Sequence, residues 1–183
     1  MADPGPVFTI GHSTRTIPEF TAILEPAGVG LVVDVRTVPR SRTNPQYNED
    51  RLPAELAPSG IGYTRIAALG GLRGRSRDVP PEINGFWINR SFHNYADYAL
   101  SGGFISGLDQ LLDVSGATPT AIMCSEAVWW RCHRRIIADY LLLRGIPVRH
   151  LMGHGRVEQA TMTPAARERD GHLVYPAGPD GGS

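Results

Sequence analysis

The chain has 183 residues, of which 42% are hydrophobic, and this length fits one folded domain with its own hydrophobic core. Its 18 basic residues are all arginine and balance 18 acidic residues, which excludes lysine chemistry such as a Schiff base and argues against binding long nucleic acid by bulk charge. No apolar run approaches the roughly 18 residues that cross a membrane, and the opening MADPGPVFTIGH lacks the pattern of a secretion signal, so we expect a cytoplasmic protein without a membrane partner.

Short apolar runs rich in β-branched residues alternate with amphipathic stretches from the start of the chain. This alternation is typical of an α/β fold in which helices flank a mostly parallel sheet. Residues 7–10 predict the first strand. Thr16 and Glu19 form a capping box with a proline between them, which predicts the start of the first helix, and Gly28 ends it. The apolar run 31–35 predicts a second strand that is buried on both faces.

The middle of the chain is predicted to hold a short helix, a third strand and a long loop. Asn48 is positioned to cap the helix, which carries Leu52 and Leu56 at helical spacing. Residues 61–66 predict the third strand. Glycine, proline and arginine dominate residues 67–89, so we expect a long surface excursion there.

The second half continues the alternation and completes the predicted fold, a single three-layer Rossmann-like domain over residues 1–183. Its core covers about residues 8–152. The tail 153–183 has little apolar periodicity, and only residues 173–175 are a candidate strand. The predicted elements of this half are helices over 91–100, 103–114 and 132–143, and strands over 120–124 and 148–151.

Three polar clusters follow predicted strands at their carboxyl ends. In open parallel sheets, ligands bind at this edge because the loops there converge on helix N-termini, whose free N–H groups favour anions. We therefore expect the clusters to share one pocket. They are His12 and Ser13 after the first strand, Asp34, Arg36, Arg40, Ser41 and Arg42 after the second, and Cys124, Glu126, Cys132, His133 and Arg134 after the 120–124 strand.

The two cysteines carry the most specific chemistry. Cys132 lies where a helix is predicted to begin, a position at which free N–H groups and the helix dipole lower the pKa of a thiol. His133 and Arg134 add positive character beside it. Cys124 ends the preceding strand, and the intervening loop is long enough to bring the two sulfurs together. A thiol nucleophile, a redox pair and a metal site all remain open, as does burial of either cysteine in the core.

Short motifs occur along the chain in a fixed order. They are GHS at 11–13, DVR at 34–36, PRSR at 39–42, GIGY at 60–63, LGG at 69–71, YADY at 95–98, MCSE at 123–126 and CHR at 132–134. In this order and spacing, the chain resembles the domain of unknown function 488 family over about residues 8–152. The resemblance implies a polar signature at His12, Ser13, Asp34, Arg36, Arg42, Cys124, Glu126, Cys132, His133 and Arg134, without implying one reaction.

We expect a small enzyme that acts on an anionic small molecule or a nucleotide. Cys132 is the candidate nucleophile or redox thiol together with Cys124, and His12 and Glu126 are candidates for moving protons. Asp34 joins the candidate catalytic residues because its charge interrupts a buried strand at the ligand end. Arginines hold phosphate or carboxylate by forked hydrogen bonds. The candidate substrate-binding residues are Ser13, Arg36, Arg42, His133 and Arg134.

Two other functions fit the same residues. The first is a non-catalytic module that binds a nucleotide or a nucleic acid through the arginines, although nucleic acid is not favoured. The second is a metal-dependent enzyme with ligands among His12, Cys124, Cys132 and His133, although their spacing matches none of the familiar zinc patterns. The sequence does not identify a cofactor, a substrate or an oligomeric state.

Overall fold

The structure is a computed structural model that describes residues 3–178. Its centre is one sheet made of β1 (Val7–Gly11), β2 (Leu31–Asp34), β3 (Gly62–Arg65), β4 (Thr120–Cys124), β5 (Val148–Gly153) and β6 (Arg156–Gln159). The strand order is β3-β2-β4-β1-β5-β6, and only the β5–β6 pair is antiparallel. Residues 1–2 and 179–183 of the predicted domain lie outside the described residues.

Helices cover both faces of this sheet, in agreement with the predicted three-layer α/β fold. One layer of core side chains joins the first two helices to the sheet, and a second layer joins the other three to the opposite face. No helix within residues 3–178 has the length and apolar character that crossing a membrane requires. The helices are α1 (Ile17–Leu24), α2 (Leu52–Leu56), α3 (Arg90–Tyr98), α4 (Gly102–Ala117) and α5 (Arg134–Leu143).

The sheet has a topological switch point between β1 and β4. These two strands are parallel neighbours at its centre, with Gly11 in register with Cys124. The chain leaves β1 toward β2 on one side, whereas it leaves β4 toward β5 on the other side. Connections that diverge in this way leave a crevice at the carboxyl ends of the strands, and ligands of open α/β sheets bind in such crevices.

The start of α1 confirms the predicted capping box. The Thr16 hydroxyl accepts a hydrogen bond from the backbone N–H of Glu19, and the Glu19 carboxylate accepts one from the backbone N–H of Thr16. The helix continues into a short 3-10 turn, and Gly28 then ends it in the left-handed conformation, at φ 71°. A left-handed C-terminal residue favours glycine, which has no Cβ to clash.

Two details of the predicted helices are wrong. The side chain of Asn48 does not cap α2; instead its oxygen accepts a hydrogen bond from the backbone N–H of Ser41 at 2.7 Å, so it fixes the loop after β2. Helix α5 begins at Arg134 rather than at Cys132, which has an extended backbone after the 3-10 turn Trp129–Arg131. The other predicted elements before residue 152 differ from the structure only by a few residues at their ends.

The region 67–89 is more ordered than a plain surface loop. It contains two 3-10 turns, Ala67–Leu69 and Pro81–Asn84, and it buries Leu69 and Trp87. Such short turns have no repeating pattern of apolar residues, so they cannot be predicted in a segment dominated by glycine, proline and arginine.

The tail also holds more structure than the sequence predicts. It contributes β6, and β7 (Arg167–Arg169) pairs with β8 (His172–Val174), which overlaps the predicted strand 173–175. Tyr175 is fully buried, and its hydroxyl donates a hydrogen bond to Asp139 of α5 at 2.8 Å. These contacts bring the end of the described chain against the helices on one face of the sheet.

Candidate active site

A cavity of about 700 Å³ opens at the carboxyl ends of β1, β2 and β4, which is the edge that the sequence predicts for the site. The lining comes from the loops after these strands and from residues before and within α3. Of the predicted site residues, Asp34 and Arg134 are buried behind the wall, and Arg42 is exposed outside it. The predicted residues that line the cavity are His12, Ser13, Arg36, Cys124, Glu126, Cys132 and His133.

The two cysteine thiols meet at the wall of this cavity. The Sγ atoms of Cys124 and Cys132 are 2.7 Å apart, both thiols are free, and the residues are 4% and 5% exposed. The loop between them folds back over β1, as its length allows. A Cβ atom at Gly11 would overlap the backbone carbonyl of Glu126 in this loop, so a side chain there would push the loop away.

Arg134 lies directly behind the two thiols and is 1% exposed. Its Nε donates to Cys124 Sγ at 3.0 Å and to Cys132 Sγ at 3.4 Å. One terminal nitrogen donates to the Thr9 hydroxyl at 3.0 Å, and the other to the Glu126 backbone carbonyl at 2.7 Å. Within residues 3–178, no carboxylate forms an ion pair with this guanidinium. A buried cation needs a counter-charge, and the available acidic groups are the thiols.

The electrostatics of the pair favour a thiolate on Cys132. Burial alone would raise the pKa of Cys132, but the hydrogen bond from Cys124 and the charges of His133 and Arg134 together lower this pKa well below its usual value. Burial, with the hydrogen bond to Cys132 and its charge, raises the pKa of Cys124 well above the usual value. Cys124 therefore keeps its proton and donates it to the sulfur of Cys132.

His133 is the nearest base to this sulfur. Its Nδ1 lies 3.4 Å from Cys132 Sγ, and its Nε2 lies 2.7 Å from the backbone oxygen of Val35. Because a carbonyl only accepts, Nε2 carries a proton, and Nδ1 is the atom that can accept one from the thiol. A Cβ atom at Gly71 would overlap the imidazole, so this glycine makes room for the ring.

A second buried polar group surrounds Asp34, which is fully buried. One of its oxygens accepts from Arg36 Nη2 at 2.7 Å and from the Tyr63 hydroxyl at 2.6 Å, and the other accepts from Arg36 Nε at 2.9 Å. Arg36 is 6% exposed and reaches the cavity wall. Asp34 thus contacts the cavity only through this arginine.

His12 belongs to the same group. Its Nδ1 donates to the Ser13 carbonyl at 2.8 Å, and its Nε2 accepts from Arg36 Nη1 at 3.3 Å. The ring stacks on Tyr47 at 4.1 Å between centroids. Burial lowers the pKa of His12 to about 4. The imidazole is therefore neutral at neutral pH, and both of its nitrogens are engaged in orienting the loop and Arg36.

The remaining predicted residues lie at the mouth of the cavity. The exposed Glu126 contacts the buried site through its backbone carbonyl, and the backbone N–H of Ser13 donates to the carbonyl of Ser125 at 3.1 Å. Arg40, which belongs to the predicted polar cluster after β2, and Arg131, which the sequence did not single out, both line the cavity and are exposed. In a chain with 18 arginines, a single one such as Arg131 carries little weight by itself.

A polar chain behind Arg134 was also missed. The Thr9 hydroxyl accepts from Arg134 and donates to His150 Nδ1 at 2.7 Å. His150 stacks on Trp129 at 4.5 Å, and Trp129 Nε1 donates to the Glu158 carboxylate at 2.9 Å. The available signal was that Thr9 is the only polar side chain in the strand VFTIG.

No group of three or more histidine, cysteine, aspartate or glutamate side chains in the described part of the chain has the arrangement of a metal site. The four side chains considered as metal ligands divide between two clusters. Cys124, Cys132 and His133 gather at Arg134, whereas the Nε2 of His12 is directed at Arg36.

Comparison with known families identifies a family that the chain matches. The family model described as Domain of unknown function DUF488 matches residues 16–141. This range contains helices α1 to α4, most of α5, both cysteines and Arg134. It begins after the GHS motif at the end of β1. No curated protein and no solved structure is significantly similar to the chain.

Proposed function

Since the chain belongs to the DUF488 family, a domain family of unknown function, we propose from its site that it is an enzyme whose nucleophile is the thiolate of Cys132 and whose substrate is a small anionic molecule. One observation carries the proposal. A fully buried guanidinium, that of Arg134, directs its Nε at two thiols that line an open cavity, and no carboxylate balances its charge within residues 3–178. A core cysteine that only fills space needs no such partner.

The nucleophile is formed by the residues next to Cys132 in the chain. His133 Nδ1 accepts the thiol proton, while the Val35 carbonyl holds Nε2–H and so fixes the tautomer. Arg134 stabilises the resulting thiolate by charge and by its Nε–H. The Thr9 hydroxyl accepts a hydrogen bond from Arg134 Nη1 and so holds the guanidinium in this orientation.

The cavity wall supports an anionic substrate. Arg40 and Arg131 are exposed lining residues without an ion-pair partner in the described chain, and Glu126 is the only acidic residue that lines the cavity. Leu72 and Phe92 provide apolar surface beside them. A carboxylate or phosphate on a small organic body, including a nucleotide, matches this lining.

The other predicted residues receive roles from their contacts. Asp34 and His12 position Arg36, which lines the cavity and is the candidate partner of the anion. Glu126 at the mouth is the candidate acid for a leaving group. Ser13, which lines the cavity, and Arg42, which is exposed outside its lining, complete the candidate substrate-binding residues.

Two alkylating reagents of nearly equal size test both halves of the proposal. Iodoacetamide is neutral and iodoacetate is an anion. The rate of alkylation by iodoacetate divided by the rate with iodoacetamide, compared between Cys132 and free cysteine, therefore measures how strongly the cavity attracts anions. We expect Cys132 to be the site of labelling at neutral pH, with a rate ratio about tenfold more favourable to iodoacetate than that of free cysteine.

Matched variants identify the source of the effect. The double variant Arg40→Gln, Arg131→Gln is expected to lose the preference for iodoacetate and to keep its rate with iodoacetamide. The double variant Arg75→Gln, Arg77→Gln removes the same charge outside the cavity lining and is expected to leave the ratio unchanged. Labelling that is unaffected by Cys132→Ser would overturn the nucleophile, and a ratio equal to that of free cysteine would overturn the anionic substrate.

A further inference from the structure

We propose that Cys124 is the resolving thiol of Cys132, and that the site carries out thiol–disulfide exchange with a small anionic disulfide. This inference rests on the proposed nucleophile and names its substrate class. It starts from a feature that a simple nucleophile does not need, namely a second thiol in the same cavity wall with its Sγ 2.7 Å from the first.

The position of Cys124 determines which groups, once bound to Cys132, the site can release. Its sulfur is nearer to Cys132 Sγ than the imidazole is, since His133 Nδ1 lies at 3.4 Å. When a group is bound to Cys132, the nucleophile nearest to the Cys132 sulfur is therefore the Cys124 thiol, rather than a water activated by His133. A thiol displaces a group that is bound through sulfur by ordinary exchange, whereas a stable carbon–sulfur adduct resists it.

The exchange balances in two displacements. In the first, the Cys132 thiolate attacks one sulfur of the substrate R–S–S–R, a bond forms between Cys132 Sγ and that sulfur, and the substrate S–S bond breaks. The departing RS⁻ takes from His133 Nδ1 the proton that came from Cys132 and leaves as RSH, which frees Nδ1 for the next step. In the second, Cys124 loses its proton to His133 Nδ1 and attacks Cys132 Sγ, so that the Cys124–Cys132 disulfide forms and the second RS⁻ leaves. The substrate gains two electrons, the protein loses two, and an external thiol reductant returns them.

Arg134 favours the reduced form of the Cys124–Cys132 pair over the disulfide. The reduced pair holds one negative charge beside the guanidinium, and the disulfide holds none. Oxidation therefore leaves a buried cation with only the Thr9 hydroxyl and the Glu126 carbonyl as acceptors. Because this arrangement stabilises the reduced form, the disulfide is easily reduced, as in catalytic pairs and unlike structural disulfides.

The test uses dithiobis(nitrobenzoate), an aromatic disulfide that carries carboxylates and releases coloured thionitrobenzoate. The reduced full-length protein is expected to release about two equivalents, the second soon after the first, and to end as an unlabelled protein with an internal disulfide. Cys124→Ser is expected to release about one equivalent and to retain the adduct on Cys132. Cys132→Ser is expected to lose the fast release. Intact mass and peptide mapping identify each product.

The outcomes separate this inference from the proposed function. A native protein that retains a stable adduct on Cys132 while Cys124 remains a thiol would overturn the resolving role and leave the nucleophile intact. Absence of fast release from both the native protein and Cys124→Ser would overturn the nucleophile itself. The native stoichiometry requires no substitution, so it gives an answer even where a serine variant fails to fold.

Discussion

At the scale of single residues, the unusual feature is the environment of Arg134. It is among the largest fully buried side chains of the protein, and two sulfur atoms take the place where a carboxylate usually balances a buried guanidinium. The adjacency of Cys132, His133 and Arg134 in the chain made this cluster predictable. The contact between Thr9 and His150 was not, because the two residues are 141 positions apart in the chain and lie on different strands.

The pH dependence of thiol reactivity tests the role of Arg134. The lowered pKa of Cys132 means that its thiolate persists at pH values where an ordinary thiol is protonated. Arg134→Met removes the stabilising charge, so the alkylation profile with iodoacetamide should move to higher pH by about one to three units. Arg134→Lys keeps the charge without the fork of donors and should shift the profile less. Profiles that coincide for the native protein and Arg134→Met would show that Arg134 is not the counter-charge.

At the scale of elements, the loops at one edge of the sheet carry the site, and their turns are less predictable than the strands. Apolar runs identified β1, β2 and β4 and thus the edge at which the polar clusters meet. The start of α5 was placed two residues early because the pattern of apolar residues does not distinguish a helix from the turn that precedes it. Strands β6 and β7 of the tail were not predicted because they expose most of their residues and show no clear alternation.

Glycines at this edge allow a specific prediction. Gly71→Ala introduces a methyl group that overlaps the His133 imidazole, so the ring must move away from the Cys132 sulfur. We expect the rate of alkylation of Cys132 at neutral pH to fall severalfold, with a stability loss of about 1–3 kcal/mol from overpacking. Gly74→Ala is the matched control, because its methyl group meets no atom within 4 Å. Equal rates in the two variants would show that the position of His133 does not control the thiol.

At the scale of the whole molecule, two layers of core side chains hold the sheet between its helices, and two buried histidines make this assembly sensitive to acid. Burial lowers the pKa of His12 and that of His150 from 6.5 to about 4. The unfolded chain therefore binds more protons than the folded protein between these values. Stability that is complete above pH 6.5 is lost as the pH falls through this window.

Urea unfolding at a series of pH values measures this loss. Each histidine should contribute up to about 3 kcal/mol between neutral pH and pH 4. His150→Gln removes one titrating group and should flatten the dependence, although the variant starts from a lower stability at pH 7. His154→Gln changes an exposed histidine and should keep the native slope. A slope in His150→Gln as steep as that of the native protein would assign the acid sensitivity to other groups.

The buried Tyr175 links the end of the described chain to the cavity. Its ring meets Trp87 at 5.2 Å between centroids, and Trp87 stacks on Phe92, which lines the cavity. During synthesis, the ribosome delivers both thiols and Arg134 well before it delivers Tyr175. A nascent chain thus contains both thiols before Tyr175 can support the aromatic residues beside them, and we expect the thiols to be least sheltered from oxidants in that interval.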